Sequence, residues 1–197
     1  MFEAIKEKIY QHHMLYRFPV KGELWEDIFD QVINTNSKTW NMGSHSAGAD
    51  VVSNTTGVRY QNKAGTISNN TITWSGHRTT KYKTLEEKIK FISDDHCDQY
   101  VMLARNTDEW NRGLKKYYLI MFDSSLIDYT KLNWTPDMGR SKTSITSWKG
   151  SATNIPYTAK ILRGTSDQLW TTADLSYLGT VQPIVIEYDT EFLEYKK

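Results

Sequence analysis

A capped helix stands in the middle of a chain otherwise written in short strands, and that placement constrains the fold more than any other feature. Thr84-Leu85-Glu86-Glu87 is a capping box. In this motif the threonine hydroxyl accepts from the backbone N–H three residues on, and the glutamate reaches back to the threonine N–H. The helix it opens runs through Ile89 and Ile92 to about Asp95. Ahead of it lie two strand-like runs, 49–53 and 58–64, joined by Asn54-Thr55-Thr56-Gly57, a hairpin signal. A further strand, 71–74, follows Ser68-Asn69-Asn70, and behind the helix 100–104 and 117–122 read as two more, the second of a fully buried type. Before all of these, 22–33 (GELWEDIFDQVI) has the period of an amphipathic helix. Leu24, Trp25, Ile28, Phe29, Val32 and Ile33 form its apolar face, with Glu23, Glu26, Asp27 and Asp30 opposite.

The order helix, antiparallel strands, helix, strand, strand suggests an α+β core, a mixed central sheet flanked by helices. Residues 34–48 read as a polar loop. From Asp128 the pattern is less regular, with Trp134, Trp148 and Trp170 spread among Ser, Thr and Gly; 184–188 reads as a late strand and 191 onward as a short helix. A length of 197 residues suits a single domain spanning 1–197, with a core at about 20–122 and a C-terminal elaboration at about 128–180. Seven Trp and twelve Tyr supply bulk for a sizeable core. No apolar run approaches the roughly eighteen residues of a membrane span, and the first residues lack a signal-peptide core and cleavage site. With Cys97 as the one cysteine there is no internal disulfide framework, so a reduced, cytoplasmic protein is expected.

Charge is unevenly placed. Arg59, Lys63, Arg78, Lys81, Lys83, Lys88 and Lys90 crowd one stretch against Glu86 and Glu87 alone. Arg140, Lys142, Lys149, Lys160 and Arg163 lie in a second stretch, 138–166, that has no acid. Two basic stretches on a chain of net charge +1 suggest a polyanion-binding face. Familiar catalytic signatures are absent: no phosphate-binding glycine loop, no G-x-S-x-G elbow, no H-E-x-x-H. His12 and His13 are adjacent and make a poor metal pair, and Cys97 beside His96 reads as a helix-end thiol.

One constellation stands out. Gly48-Ala49-Asp50 puts an acid at the start of a strand, and the returning strand carries Gln61-Asn62-Lys63. The strand period places Gln61 and Lys63 on one face with Asn62 opposite, so a hairpin can gather Asp50, Gln61 and Lys63 at one end of a sheet. A carboxylate, an amide oxygen and a backbone carbonyl are hard oxygen ligands suited to Mg²⁺. A lysine beside them can position an attacking water and stabilise charge at phosphorus.

The order helix acid, G-x-D, then Q-x-K resembles the PD-(D/E)XK nuclease superfamily, and within it the restriction-endonuclease-like members in which glutamine replaces the second acid. The resemblance covers roughly residues 20–122. It implies that Asp50 and Gln61 bind the metal and that Lys63 assists the water. It also implies an acid from the preceding helix, with Glu26 the first choice and Glu23 the second. Ala49 stands where the motif's name has proline, and neutral Gln61 makes the helix acid matter more. The function implied is that of a type II restriction enzyme: a Mg²⁺-dependent endonuclease cutting double-stranded DNA to 5′-phosphate and 3′-hydroxyl ends. It would act as a homodimer alongside a cognate DNA methyltransferase. A structure-directed or repair nuclease of the same superfamily, and a DNA-binding protein without catalysis, remain alternatives.

DNA contacts are expected from the polar loop 74–83, through His77, Arg78, Lys81 and Lys83, next to the N-terminus of the capped helix. The stretch 139–150, with Arg140, Lys142 and Lys149, is assigned to sequence recognition. Ser166-Asp167-Gln168 is a second candidate reader, with an ordinary turn as the alternative.

Overall fold

The computed structural model describes residues 1–34, 49–94, 97–106, 115–140 and 142–186. They form an α+β fold built on one large mixed sheet. In chain order the helices are α1 (Phe2–Leu15), α2 (Glu23–Ile33) and α3 (Leu85–Ser93). The strands are β1 (Val51–Val52), β2 (Arg59–Ser68), β3 (Thr71–Arg78), β4 (Gln99–Asn106), β5 (Lys115–Asp123), β6 (Asn133–Asp137), β7 (Ser147–Ser151), β8 (Tyr157–Leu162), β9 (Gln168–Asp174) and β10 (Thr180–Ile186). Across the sheet the order is β10-β5-β4-β2-β3-β9-β8-β7-β6, with β1 added to β2. Only β2 and β4 pair in parallel; every other described pairing is antiparallel. A parallel pair needs a crossover, and here β3 and α3 supply it.

Alternation along β4 shows where the two cores lie. Val101 and Leu103 face α1 and α2, packing with Ile5, Ile9, Trp25, Phe29, Leu119 and Ile184. Met102 and Ala104 face the other way, among Ile92 of α3, Trp74, Ile120 and Phe122. A strand buried on both faces reads as a continuous apolar run, as 101–104 does. The apolar stripe foreseen on α2 is the one buried, with Trp25 and Phe29 fully enclosed. The capping box forms as expected: the Thr84 hydroxyl accepts from Glu87 N–H, and Glu87 accepts from the Thr84 and Lys83 N–H groups.

Several expectations are corrected. Residues 2–15 form a helix that the sequence reading did not anticipate, its Ile5 and Ile9 buried against α2 and the sheet. Residues 74–78 are not loop but the second half of β3, with Trp74 in the core. The last third is not irregular. It is an antiparallel meander, β6 to β9, followed by β10, which returns to pair with β5 at the opposite end of the sheet. Outward positions in that meander carry Thr, Lys and Ser, which blurs the alternation when only the sequence is read. The late strand ends, among described residues, at Ile186, and the short helix from 191 lies outside them. No described helix is long and apolar enough to cross a membrane.

Candidate active site

Strand β2 has an interrupted edge, and the candidate site occupies the interruption. One edge pairs with β4 from Tyr60 to Ile67. The other is shared: β1 takes Arg59 and Tyr60, β3 takes Gly65 to Ser68, and Gln61 to Ala64 lie between. The turn that returns the chain is closed by Ser53 N–H to Val58 O at 2.9 Å and Gly57 N–H to Ser53 O at 2.8 Å. Gly57 sits there at φ +73°, in the left-handed region where glycine carries no Cβ penalty. Asp50, one residue before β1, is thereby placed beside the gap.

One carboxylate oxygen organises the cluster. Asp50 Oδ2 accepts from Gln61 Nε2 at 2.9 Å, from the Asn62 backbone N–H at 2.8 Å and from Lys63 Nζ at 2.9 Å. The Asn62 N–H would otherwise have met a neighbouring strand, so the acid substitutes for a missing ladder partner. The Lys63–Asp50 ion pair is mostly shielded, with side chains 17% and 22% exposed. Asp50 Oδ1 has no hydrogen-bond partner among the described residues.

The Gln61 amide is held in one orientation by this arrangement. An ionised carboxylate only accepts, so Gln61 must turn its NH₂ toward Asp50. Its Oε1 is then left buried with no donor among the described residues, in a side chain only 4% exposed. An orphaned buried acceptor costs about 1–3 kcal/mol, which a cation or a held water would offset. Asn62, on the opposite face of β2, is 2% exposed and has both amide atoms unpartnered. Its buried character was not legible, since a lone Asn in a strand ordinarily points to solvent.

Glu26 faces the same region from α2. Burial raises its carboxyl above the ordinary range, the Asp50 charge raises it further and Lys63 opposes both; Glu23 and Asp27 add smaller upward contributions. Glu23 itself is exposed. A second carboxylate whose charge Asp50 disfavours marks a place where a cation would be favourable. The donors fit a hard ion such as Mg²⁺: an open carboxylate oxygen on Asp50, the orphaned Gln61 Oε1 and the half-buried Glu26. Among the described residues no three His, Cys, Asp or Glu side chains are grouped as a metal site, so such an ion would depend on the glutamine.

The expected DNA contacts are dispersed. Arg78, Lys81 and Lys83 are exposed at the end of β3 and in the segment leading to α3. His77 instead packs edge-on against Phe91 of α3, with ring centres 5.4 Å apart. That segment is tied down by buried Lys88, whose Nζ donates to Thr79 O at 2.7 Å, Tyr82 O at 2.6 Å and Asp167 Oδ2 at 2.8 Å. The proposed reader Ser166-Asp167-Gln168 is thus a turn, with φ +60° and +47° at Ser166 and Asp167, whose acid is committed to Lys88. Arg140 and Lys142 are exposed in the turn between β6 and β7, and Lys149 on β7 pairs with Asp137 at 2.7 Å. Strand β7 is four strands from β2, about 19 Å away, so these three residues do not join the Asp50 cluster. The two adjacent histidines, read as a poor metal pair, are both engaged elsewhere, as described below.

Neither a family model, nor a curated protein, nor a solved structure matches this chain. What the site does must be argued from its own chemistry.

Proposed function

We propose that this chain is a Mg²⁺-dependent DNA endonuclease with a restriction-endonuclease-like core. The observation that carries the reading is the Asp50 cluster. The sequence motif D-x₁₀-Q-x-K comes together at a gap in the sheet, with a buried acceptor on Gln61 and a second carboxylate, Glu26 of α2, within electrostatic reach of Asp50 and Lys63.

Each group then has a task in phosphodiester hydrolysis. Asp50, Gln61 Oε1 and Glu26 would hold the ion. When bound, it would polarise a phosphoryl oxygen and acidify a water. The Lys63 ammonium, kept in place by Asp50 Oδ2, would orient an attacking water and balance charge developing at phosphorus. Asp50 would thus help to hold the ion as well as anchor the lysine. Exposed Arg78, Lys81 and Lys83 supply sequence-independent attraction for the DNA backbone. Action as a homodimer on double-stranded DNA, with a cognate methyltransferase protecting the host, belongs to the same proposal.

The test is incubation of supercoiled plasmid with the protein, with and without Mg²⁺. Discrete fragments appearing only with the metal support the restriction reading. A smear or branch-specific nicking points to a structure-directed or repair nuclease. Intact plasmid with retained DNA binding leaves a non-catalytic DNA-binding protein.

A further inference from the structure

The sheet is covered unevenly on the α1–α2 side. Helices α1 and α2 cover β4, β5 and β10 there. Among the described residues nothing is packed over the same face of the strands beyond β2. On β8 and β9 the inward residues Ala159, Ile161, Leu169, Thr171 and Ala173 are buried, while the outward ones are half-buried or exposed. The outward residues line up across the strands. Lys149 is opposite Lys160, Lys160 is opposite Trp170, and Trp170 is opposite Ser75. The next row is Thr158, Thr172 and Thr73, whose last two hydroxyls are bonded at 2.8 Å. Lys149, Lys160, Trp170 and the three threonines line one depression.

The row runs toward β2. Trp74 pairs with Gly65, so the row containing Ser75 continues to Ala64, on the sheet face that Asn62 shares and opposite the Gln61 and Lys63 side chains. It meets the candidate site at the gap in the edge of β2, not on the face that carries those two side chains. Trp170 is two strands from β2, about 10 Å. A tryptophan 36% exposed on an otherwise polar sheet face is an unused stacking surface. Two of the five Lys/Arg in the acid-free stretch 138–166, Lys149 and Lys160, lie in the same depression as Trp170. Of the nearby acids, Asp137 is paired with Lys149, and Asp174 is occupied by Ser176 and Asn70.

We infer that the row Lys149–Lys160–Trp170 is a platform for an unpaired stretch of nucleic acid, the lysines facing its phosphates and Trp170 stacking one base. This rests on the endonuclease reading and adds the state of the substrate beside the cut. The argument for an unpaired stretch is steric. Inside a duplex both faces of a base are covered by its neighbours, so an indole on a flat sheet can stack only on a base that has left the helix or never joined one. Lysines one strand apart are about 5 Å from each other and can share a phosphate, with Asp137 giving up part of its hold on Lys149.

Fluorescence anisotropy with a labelled single strand and with its perfect duplex, in EDTA so that no cutting occurs, tests the platform. Single-strand binding that depends on Trp170, beside duplex binding that does not, is expected. Trp170→Ala should weaken single-strand binding roughly 5- to 150-fold, with Trp170→Phe losing much less. Lys160→Ala should flatten the salt dependence by about 0.7 in the log–log slope. Thermal melts verify that the variants are folded. If Trp170→Ala binds the single strand as wild type does, or if it weakens duplex and single strand alike, the platform is wrong. That failure is separable from failure of the nuclease reading, which shows as intact plasmid with Mg²⁺ while binding in EDTA persists.

Discussion

In the proposed reaction Asp50 would do chemical work beside its structural work, and the two can be told apart. Asp50→Ala strands the Gln61 amide, the Asn62 N–H and a mostly shielded lysine, so a stability loss of about 1–3 kcal/mol is expected in urea titrations. Lys63→Met removes the ammonium but leaves the Gln61 and Asn62 bonds, and should be far milder in stability. Both should abolish cleavage while DNA binding in EDTA persists. Cutting by either variant at near wild-type rate would show that the cluster is only a shielded ion pair.

His13 offers a second residue-scale measurement, remote from the site. Val20 N–H donates to the Tyr117 hydroxyl oxygen at 2.9 Å, which sends the hydroxyl proton to His13 Nε2 at 2.8 Å; Nδ1–H then donates to Tyr16 O at 3.1 Å. His12, by contrast, meets Phe18 O at 2.9 Å. The His13 chain is complete only with a neutral ring. Burial, aided by the charges of His12 and Lys115 and opposed by the Tyr16 bond, pushes His13 down to about 4. The unfolded ring takes a proton near pH 6.5, so the contribution is fully present above that value and is lost as pH falls toward 4. It amounts to at most ~3 kcal/mol. Urea midpoints at pH 7 and pH 4.5 should fall less for His13→Gln than for wild type. An unchanged drop would assign acid sensitivity to other groups.

At the scale of elements, α2 brings Glu26 to the cluster at a cost to its own stability. Its carboxyl is raised, chiefly by burial and next by Asp50, so the folded state binds this proton more readily than the unfolded one. Stability from this group therefore rises as pH falls through its raised value. Without metal at neutral pH, Glu26→Gln should leave the melting temperature unchanged or higher. In cleavage assays it should raise the Mg²⁺ concentration for half-maximal rate, with Glu23→Gln much milder. Equal Mg²⁺ dependence in wild type and both variants would remove the helix acids from the site. This helix and the capped α3 were legible because their apolar period and cap are local. The hairpin placing Asp50 opposite Gln61 and Lys63 was legible for the same reason, through its four turn residues. The burial of Asn62 and the commitment of Lys88 to Asp167 were not, since each depends on partners distant in sequence.

For the whole molecule, the sheet's ends could not be read because its edges are set by long-range pairing. Nothing near 168–174 says that this strand will lie against β3, nor does 180–186 announce β5 as its neighbour. The mixed sheet itself was expected; its extension to ten described strands was not. Those pairings make a prediction about cooperativity. Unfolding followed by tryptophan fluorescence and by far-ultraviolet circular dichroism should give coincident transitions, because the Trp74 core spans β3, β4, β5, β8 and β9. Two separated transitions would show that the meander melts on its own.

The return of β10 to β5 also bears on how the chain matures during synthesis. Strand β5 keeps an open hydrogen-bonding edge until residues 180–186 have left the ribosome, long after α1, α2 and β2 have been made. An apolar strand waiting that long is a template for any extended segment nearby. A nascent chain stalled before residue 180 should therefore bind chaperones and aggregate, whereas the released chain should resist protease.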